Sequence, residues 1–216
     1  MRFEDVAAVL DGRVPFMTAS QGRQVYDHIR SERATSVLEL GTAFGASAAY
    51  MAAAVAQNGG GRVTTVDRHH FNAGPAPPPE ETAARLGLED TIEFVRVDHS
   101  SYTWWLKEQI EARTDTGGTT RPAYDFCYID GAHDWHVDGL AAVLVERLLK
   151  PGAWVLFDDL DWTYDSSTSP TPDGLSAEER ATPHVRAVFD IVIGGHPSFD
   201  RLLVDDGRWG WARKRL

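Results

Sequence analysis

Three aspartates that follow two predicted strands have the residue type and placement of a metal site. The runs Tyr124–Asp130 (YDFCYID) and Ala153–Asp158 (AWVLFD) are apolar and end in aspartate, and Asp159 comes next. The carboxyl ends of parallel strands meet at one edge of a sheet, so Asp130, Asp158 and Asp159 should converge. Clustered carboxylates repel one another unless a cation lies between them, and oxygen ligands favour Mg²⁺ or another hard divalent cation. The alternative is that Asp158 or Asp159 caps a helix or faces solvent.

A histidine beside this predicted metal site is the candidate catalytic base. His133 lies three residues after Asp130, just before a predicted helix. The pKa of histidine, ordinarily about 6.5, suits proton transfer at neutral pH. A structural role for His133 is the alternative, and a zinc site made with His136 is less favoured because thiolate ligands are lacking. His69 and His70 are most simply part of a polar loop.

A turn with two glycines, between the first predicted strand and a helix, is typical of a ligand-binding loop. In ELGTAFGAS, residues 39–47, Gly41 and Gly45 allow a tight turn and close approach of a ligand to the backbone. Position 43 is alanine, so the dinucleotide pattern GxGxxG is incomplete, and Glu39 favours a ligand with positive charge. Asp67, at the end of the next predicted strand, can accept hydrogen bonds from ribose hydroxyls. A plain strand–turn–helix is the alternative.

An α/β fold would bring these candidate residues together. The alternation of strand and helix patterns along the chain predicts such a fold, with a parallel sheet and helices on both faces. The predicted strands are Ser36–Leu40, Arg62–Asp67, Thr91–Asp98, Tyr124–Asp130 and Ala153–Asp158, and the predicted helices are Ala46–Gln57 and about Trp135–Leu149, which Lys150-Pro151-Gly152 ends. The first 33 residues suggest two further helices. Phe199–Val204 and Arg208–Lys214 predict a hairpin that turns at Asp206-Gly207.

Two segments interrupt this alternation. Asn72–Glu81 contains Gly74 and four prolines and is predicted to be a loop. Trp162–Thr182 is rich in Ser, Thr, Pro and Asp, with Ser-Pro at 169–170, and is either a mobile flap over the site or a surface insertion. We expect one domain over residues 1–216, made of a helical cap (1–33), a cofactor- and metal-binding core (34–160), the flap (161–182) and a C-terminal helix with the hairpin (183–216).

Composition excludes several classes of protein. The 216 residues carry a net charge of −11, which disfavours binding to nucleic acid. The single cysteine, Cys127, excludes a disulfide framework and a CxxC metal site. The acidic start lacks the apolar run of a signal peptide, and no stretch is long and apolar enough to cross a bilayer. A cytoplasmic protein without a membrane partner is expected.

The order of these motifs resembles that of class I S-adenosylmethionine-dependent methyltransferases. ELGTAFGAS, Asp67, YIDGAH and VLFDDLDW follow one another as in that family, over about residues 34–160. More narrowly, the chain is similar to catechol O-methyltransferase-like enzymes and to the macrocin O-methyltransferase and cephalosporin-hydroxylase-like set of metal-dependent small-molecule O-methyltransferases. The resemblance implies a Rossmann-like, seven-stranded methyltransferase fold.

The resemblance also implies roles for individual residues. The cofactor S-adenosylmethionine would contact Glu39, Gly41 and Gly45 around its methionine part, Asp67 at the ribose, and Asp98, His99 and Ser100 near the adenine. Thr42, Ser47 and Asp130 would be further cofactor contacts. The metal ligands would be Asp130, Asp158 and Asp159. His133 occupies the place of a lysine base in catechol-type enzymes, and this departure leaves the identity of the base open.

The expected function is Mg²⁺-dependent O-methylation of a small molecule with neighbouring oxygens, with Asp130 and His133 as catalytic residues. A metal-independent N-methyltransferase of the same fold is the main alternative, and a nucleotide-binding oxidoreductase or a non-catalytic cofactor-binding protein is less favoured. The acceptor pocket is predicted to involve the N-terminal helices, the flap with Trp162 and Tyr164, and a loop around Trp104-Trp105. The sequence leaves a homo-oligomer open.

Overall fold

A seven-stranded sheet organises the computed structural model, which describes residues 1–68, 77–168, 171–205 and 208–216. The strands are β1 (Ser36–Leu40), β2 (Arg62–Arg68), β3 (Ile92–Val97), β4 (Tyr124–Ile129), β5 (Leu149–Phe157), β6 (Phe199–Asp205) and β7 (Trp209–Lys214). Their order is β3-β2-β1-β4-β5-β7-β6. Strands β1 to β5 are parallel, and β7 runs antiparallel to both β5 and β6. The predicted mostly parallel sheet with an antiparallel C-terminal hairpin is confirmed.

Helices cover both faces of this sheet. They are α1 (Phe3–Leu10), α2 (Ala19–Glu32), α3 (Ala46–Gln57), α4 (Pro79–Arg85), α5 (Tyr102–Arg113), α6 (Trp135–Leu148), α7 (Ala177–Ala181) and α8 (His184–Ala187), the last continuing as a π-helix over Val188–Ile193. Helices α1 to α3 pack on one face, and α5, α6 and α8 pack on the other. The two predicted N-terminal helices are thus confirmed as α1 and α2.

Small side chains let α3 pack closely against both the sheet and α2. All residues from Ala46 to Val55 are buried, as the almost wholly apolar sequence of this helix predicts. A Cβ atom at Gly22 of α2 would lie 2.4 Å from the Tyr50 ring on α3, so the two helices touch at this glycine. This contact lies in the first half of α3, the helix that follows the glycine-containing turn.

The structure corrects three element predictions. Strand β5 begins at Leu149 rather than Ala153, because the β4–β5 ladder starts there and Lys150 forms an ion pair with Asp125 at 2.7 Å. Residues 79–81, predicted as the last part of the loop Asn72–Glu81, instead form the first turn of α4, since proline at the first helical position has the required backbone angle. Trp104 and Trp105 lie on α5 rather than in a loop, because the Ser101 side chain accepts from the Thr103 N–H at the helix start.

The flap segment contains short ordered elements in its described part. A 3₁₀ turn spans Tyr164–Ser166, α7 follows, and ion pairs join Arg180 to Asp165 at 3.3 Å and Arg186 to Asp161 at 2.6 Å. Its closure over the site stays a prediction.

No helix among the described residues is long and apolar enough to cross a membrane. The predictions for His69-His70, for Gly74 and its neighbours, for Ser169-Pro170 and for the turn at Asp206-Gly207 lie outside the described residues.

Candidate active site at the carboxyl ends of the strands

The glycine-containing turn after β1 forms a cleft against the end of β4. Gly41 has φ +101°, and a Cβ atom there would lie 1.9 Å from the Asp130 carbonyl oxygen, so only glycine fits. Gly45 has φ +76° and lies against Pro79 at the start of α4. The cleft is lined by Pro15–Met17, Gly41–Ser47 and Asp130. The structure therefore places Gly41, Thr42, Gly45, Ser47 and Asp130 around one space, and their contact with a cofactor stays a prediction.

A buried carboxylate lies beneath this cleft. Glu39 is fully buried, and its Oε2 accepts a hydrogen bond of 2.5 Å from the Thr65 hydroxyl, which in turn contacts the Thr42 hydroxyl at 2.6 Å. Within the described chain, the Glu39 Oε1 atom has no hydrogen-bond partner. Burial raises the pKa of Glu39 to about 7, against the opposing effect of the nearby Ser47 and Thr65 hydroxyls. A cation above this carboxylate would be stabilised by it.

Asp67 lies where the sequence predicts, at the end of β2 beside the glycine turn. Its Oδ2 accepts from the backbone N–H groups of Thr42 at 2.9 Å and Ala43 at 3.0 Å, and its Oδ1 accepts from Arg68 at 2.7 Å. The carboxylate thus fixes the shape of the turn in this structure. Its predicted role at a ribose stays a prediction.

The three residues predicted near the adenine lie farther away. Asp98, His99 and Ser100 follow β3 and are exposed, and none of them lines the cleft. The His99 ring lies 5.6 Å from the ring of Trp104 on α5. The structure thus places these residues at the same edge of the sheet as the cleft, and their contact with a cofactor is untested.

A cluster of two carboxylates and an imidazole adjoins the cleft. One ligand atom each from Asp130, His133 and Asp159 lies within 4.8 Å of the others. His133 Nε2 is 3.6 Å from Asp130 Oδ1 and 3.3 Å from Asp159 Oδ2. His133 has φ +52° and Asp159 has φ +55°, a left-handed conformation that is unusual outside glycine. Such conformations are concentrated at functional sites, where the surrounding structure maintains them.

Asp158 has different surroundings from its neighbour Asp159. It is 2% exposed, and Tyr128 donates to its Oδ2. Its Oδ1 accepts from Trp209 Nε1 at 2.6 Å, Arg208 Nε at 3.1 Å and the Asp159 N–H at 2.6 Å. The structure therefore brings together Asp130, Asp159 and His133, whereas Asp158 is held below them by other side chains. Its role as a metal ligand stays a prediction.

Arg208 is a site residue that the sequence does not reveal. Besides Asp158, it contacts Asp159, with Nη2 3.0 Å from Oδ1. Arg208 precedes β7, which reaches this site only because β7 pairs with β5. Sequence reasoning assigned Arg208 to the hairpin alone, since nothing in the residue pattern gives the strand order.

The close charges shift the pKa of each member of the cluster. Burial, and next the negative charge of Asp158, raise the pKa of Asp130 well above its usual range. Burial opposes a charge on His133, but the adjacent Asp159 and Asp130 outweigh it and raise the pKa of His133 to about 9. At neutral pH His133 is therefore an imidazolium in this arrangement and accepts no proton unless another cation replaces its charge. The assignment of the base stays a prediction.

A buried pair supports the loop that carries Asp130 and His133. Tyr102 donates to Asp138, and its hydroxyl accepts from the Ala132 N–H at 3.1 Å. Asp138 Oδ2 also accepts from the Asp134 N–H at 3.1 Å. These contacts hold residues 132 and 134 on either side of His133. Sequence reasoning missed the pair, because the two residues lie on different helices and are 36 positions apart.

Aromatic side chains from the flap segment lie over the cluster. The Trp162 ring is 4.9 Å from the His133 ring and 4.8 Å from that of Tyr164. The predicted proximity of Trp162 and Tyr164 to the site is thus present in the structure. His136, in contrast, is mostly exposed and contacts Asp134 at 3.0 Å, and it is not part of the cluster.

Comparisons with known proteins agree with this architecture. A family model described as a methyltransferase domain matches residues 38–160. Among solved structures, an O-methyltransferase from Bacillus cereus in complex with S-adenosylhomocysteine has a TM-score of 0.65 at 19% identity, covering 98% of this chain and 87% of that one. The O-methyltransferase TomG from Streptomyces achromogenes, involved in tomaymycin synthesis and bound to S-adenosylmethionine, has a TM-score of 0.63 at 18% identity, covering 99% and 89%.

A third similar structure is that of a methyltransferase from Podospora anserina with bound S-adenosylhomocysteine. Its TM-score is 0.65 at 17% identity, and the match covers 98% of this chain and 86% of that one. At such identities the likeness shows a shared fold. No curated protein sequence matches this chain.

Proposed function

The chain belongs to the methyltransferase-domain family, whose model spans residues 38–160, and on this premise we propose that it methylates a hydroxyl oxygen of a small molecule with the help of a divalent cation. The family and the fold make it an S-adenosylmethionine-dependent methyltransferase. The hydroxyl acceptor and the cation are the proposed part. The B. cereus and S. achromogenes neighbours bear the name O-methyltransferase, which supports the choice of oxygen.

The position of Asp130 is the observation that carries this proposal. Its backbone forms one wall of the glycine cleft against Gly41, and its carboxylate belongs to the cluster with His133 and Asp159. A methyl donor in the cleft and a hydroxyl at the cluster would therefore be neighbours. Holding both reactants in one geometry makes the reaction effectively unimolecular, which can supply a large part of the rate enhancement of a transfer of this kind.

The cleft residues suit the methyl donor. S-adenosylmethionine supplies an activated methyl group on a positively charged sulfonium, and its amino group carries a second positive charge. Glu39 offers a buried carboxylate oxygen without a partner among the described residues, and Gly41 permits close approach to the backbone. We expect Glu39 to lose its proton when a cationic donor binds, because positive charge lowers the pKa of a carboxyl group.

The cluster residues suit a divalent cation. Asp130 and Asp159 offer carboxylate oxygens and His133 offers an imidazole nitrogen, a donor set accepted by Mg²⁺, Mn²⁺ and Zn²⁺. When bound, such an ion lowers the pKa of a coordinated hydroxyl and fixes its orientation. Tyr102 and Asp138 hold the loop in place, and Trp162 shields one side of the cluster.

An acceptor would lie between the cluster and the loop that joins α1 to α2. A second, open cleft of about 570 Å³ is lined by residues 11–18 and Gln21, and it shares Pro15, Phe16 and Met17 with the first. Phe16 is 64% exposed, has φ +75° and stacks on Phe44 at 5.8 Å. An exposed aromatic ring at this position suits a flat, ring-containing acceptor.

Transfer without a metal is a second candidate, favoured by Arg208. The guanidinium contacts Asp158 and Asp159, and His133 supplies a second positive charge, so the carboxylates are partly neutralised by the chain itself. In that case the cluster would be a charge-balanced support for an oxygen or nitrogen acceptor.

An assay with a simple catechol distinguishes these candidates. The purified protein is incubated with S-adenosylmethionine and 3,4-dihydroxybenzoate, and S-adenosylhomocysteine and methylated product are measured by mass spectrometry. We expect product with Mg²⁺ or Mn²⁺, loss of product with EDTA, and recovery when the cation is restored. An unchanged rate in EDTA would establish the metal-independent candidate, and methylation of amine probes alone would contradict the hydroxyl assignment.

A further inference from the structure

Strand β6 is an exposed apolar edge of the sheet. It is the last strand in the order, and no described strand pairs with its outer side. Leu202, Leu203 and Val204 are 41%, 52% and 49% exposed. The irregular register lies between Phe199 and Arg201, before this apolar run, so residues 201–205 pair regularly with β7.

Such an edge is unusual in a protein that stays monomeric. An edge strand presents a row of backbone N–H and C=O groups, and proteins normally protect it with proline, charged side chains, a bulge in the strand or a covering element. In the run from Arg201 to Asp205 the two charged residues lie at the ends, and the three residues between them are apolar. Its apolar side chains also continue a buried surface, since Leu203 lies opposite Trp211 and Leu202 opposite Ala212 on β7.

The sequence of β6 is complementary to itself in one antiparallel register. When Leu203 of one copy lies opposite Leu203 of a second, Leu202 faces Val204, and Arg201 faces Asp205. Directly opposite residues lie on the same face of the sheet, so Arg201 and Asp205 meet as an ion pair at both ends of the contact. The Arg201 guanidinium lies 5.9 Å from the Trp154 ring centre, on the face of the sheet covered by α2.

The neighbouring two-fold registers lack this complementarity. With Val204 opposite itself, Arg201 faces Gly207 and Leu203 faces Asp205, so no opposite charges meet. With Leu202 opposite itself, Arg201 faces Leu203 and has no charge partner. The charges therefore select the register centred on Leu203, and this register has a two-fold axis, as in most homodimers.

From this edge and its charges we propose that a second copy of this chain pairs with β6, antiparallel and centred on Leu203, to form a continuous fourteen-stranded sheet across the dimer. The backbone hydrogen bonds of strand addition supply affinity, and the alternating side chains supply the register. The proposal is independent of the chemistry of the active site.

Sedimentation velocity on the full chain tests this pairing. We expect the wild-type protein at a chain concentration of about 100 µM, where small interfaces still associate, to have twice the monomer mass of 23.9 kDa. Leu203→Lys places two like charges on the axis and should give a folded monomer, whose melting temperature no longer rises with chain concentration as that of a dimer does. Leu140→Lys, at a residue of α6 that is 50% exposed, is the matched control and should remain dimeric.

Charge reversal then tests the register. Arg201→Glu and Asp205→Arg should each weaken the dimer at least about tenfold, and the double variant should recover the wild-type dissociation constant, because the opposite charges meet again. A monomeric wild-type protein, or a Leu203→Lys variant that stays dimeric, would overturn the proposal. A double variant no more dimeric than either single variant would overturn the register.

Discussion

Asp158 and Asp159 are adjacent in sequence, yet their side chains make different contacts. Asp158 is enclosed by Tyr128, Trp209 and Arg208. Asp159, which has φ +55°, lies beside His133. Removing one partner of a buried charged group leaves the other without compensation and strongly destabilises a protein. Asp158 therefore anchors the C-terminal hairpin, and Asp159 is the member of the pair that lies in the cluster with Asp130 and His133.

Tyr102 offers a direct test of the support beneath the active-site loop. Tyr102→Phe removes the hydroxyl that joins Asp138 to the Ala132 N–H, and both groups lose a buried partner. We expect the free energy of unfolding to fall by about 1–3 kcal/mol, as measured by urea denaturation.

Tyr50→Phe is the matched control for this variant. The Tyr50 hydroxyl is buried and has no hydrogen-bond partner in the part of the chain that the structure describes. Removing it should leave stability unchanged or slightly higher, because no hydrogen bond is lost. Equal losses of stability in the two variants would show that the Tyr102 hydroxyl does not hold the loop.

The sequence alone predicted the positions of the candidate site residues that lie at the ends of strands. Asp130, Glu39 and Asp67 lie at the sheet edge that was predicted for them, because a strand boundary is a local property of the chain. Arg208, Tyr102 and Asp138 were not foreseen, since their roles depend on contacts between elements that are distant in sequence.

At the scale of elements, α2 places an unusual residue against the sheet. The His28 ring lies 4.6 Å from the ring of Trp211, 5.3 Å from that of Trp154 and 5.5 Å from that of Phe126. Burial lowers the pKa of His28 from 6.5 to about 4, so the folded protein keeps this imidazole neutral. Protonation of His28 therefore opposes the packing of α2.

This histidine should make stability depend on pH. Between pH 4 and 6.5 the unfolded chain binds a proton at His28 that the folded chain does not, so stability rises with pH across this window and is lost as pH falls. From pH 7 to pH 5 the loss assigned to His28 is roughly 2 kcal/mol. Urea denaturation at both pH values should show this loss in the wild type.

Two variants isolate the effect of His28. In His28→Phe the decrease in stability between pH 7 and pH 5 should be smaller than in the wild type by that amount, because the titrating group is gone. His136→Gln removes an exposed histidine and should retain the wild-type decrease. The same decrease in His28→Phe as in the wild type would contradict a neutral buried His28.

The ends of a strand could be predicted where its apolar run is bounded by turn residues. They could not be predicted where pairing with a neighbouring strand lengthens the strand. Strand β1 was predicted to the residue, and β4 to within one residue. Strand β5 gained Leu149–Gly152 because β4 offers these residues a partner. Helix α5 was missed because its polar and aromatic residues show little amphipathic periodicity.

At the scale of the molecule, the strand order explains how residues from 39 to 208 come together. Strands β1 and β4 are neighbours at the centre of the sheet, where the strand order reverses: β2 and β3 follow β1 on one side, and β5 follows β4 on the other. The Asp130 N–H donates to the Leu40 carbonyl at 2.9 Å, and the Asp158 N–H donates to the Ile129 carbonyl at 3.0 Å. The cleft and the acidic cluster therefore open at the switch point where α/β proteins bind their ligands.

Calorimetric titration with S-adenosylhomocysteine and, separately, with Mn²⁺ tests most directly whether the donor cleft and the cation site meet at Asp130. We expect Asp159→Asn to lower the affinity for Mn²⁺ at least about tenfold and to leave that for S-adenosylhomocysteine within about twofold. Gly41→Ala should lower both, because its Cβ atom would displace the Asp130 carbonyl that walls the cleft. Asp173→Asn, at an exposed aspartate of the flap segment, should change neither. Wild-type affinity for Mn²⁺ in Gly41→Ala, or equal losses of both ligands in Asp159→Asn, would contradict a donor cleft and a cation site that meet at Asp130.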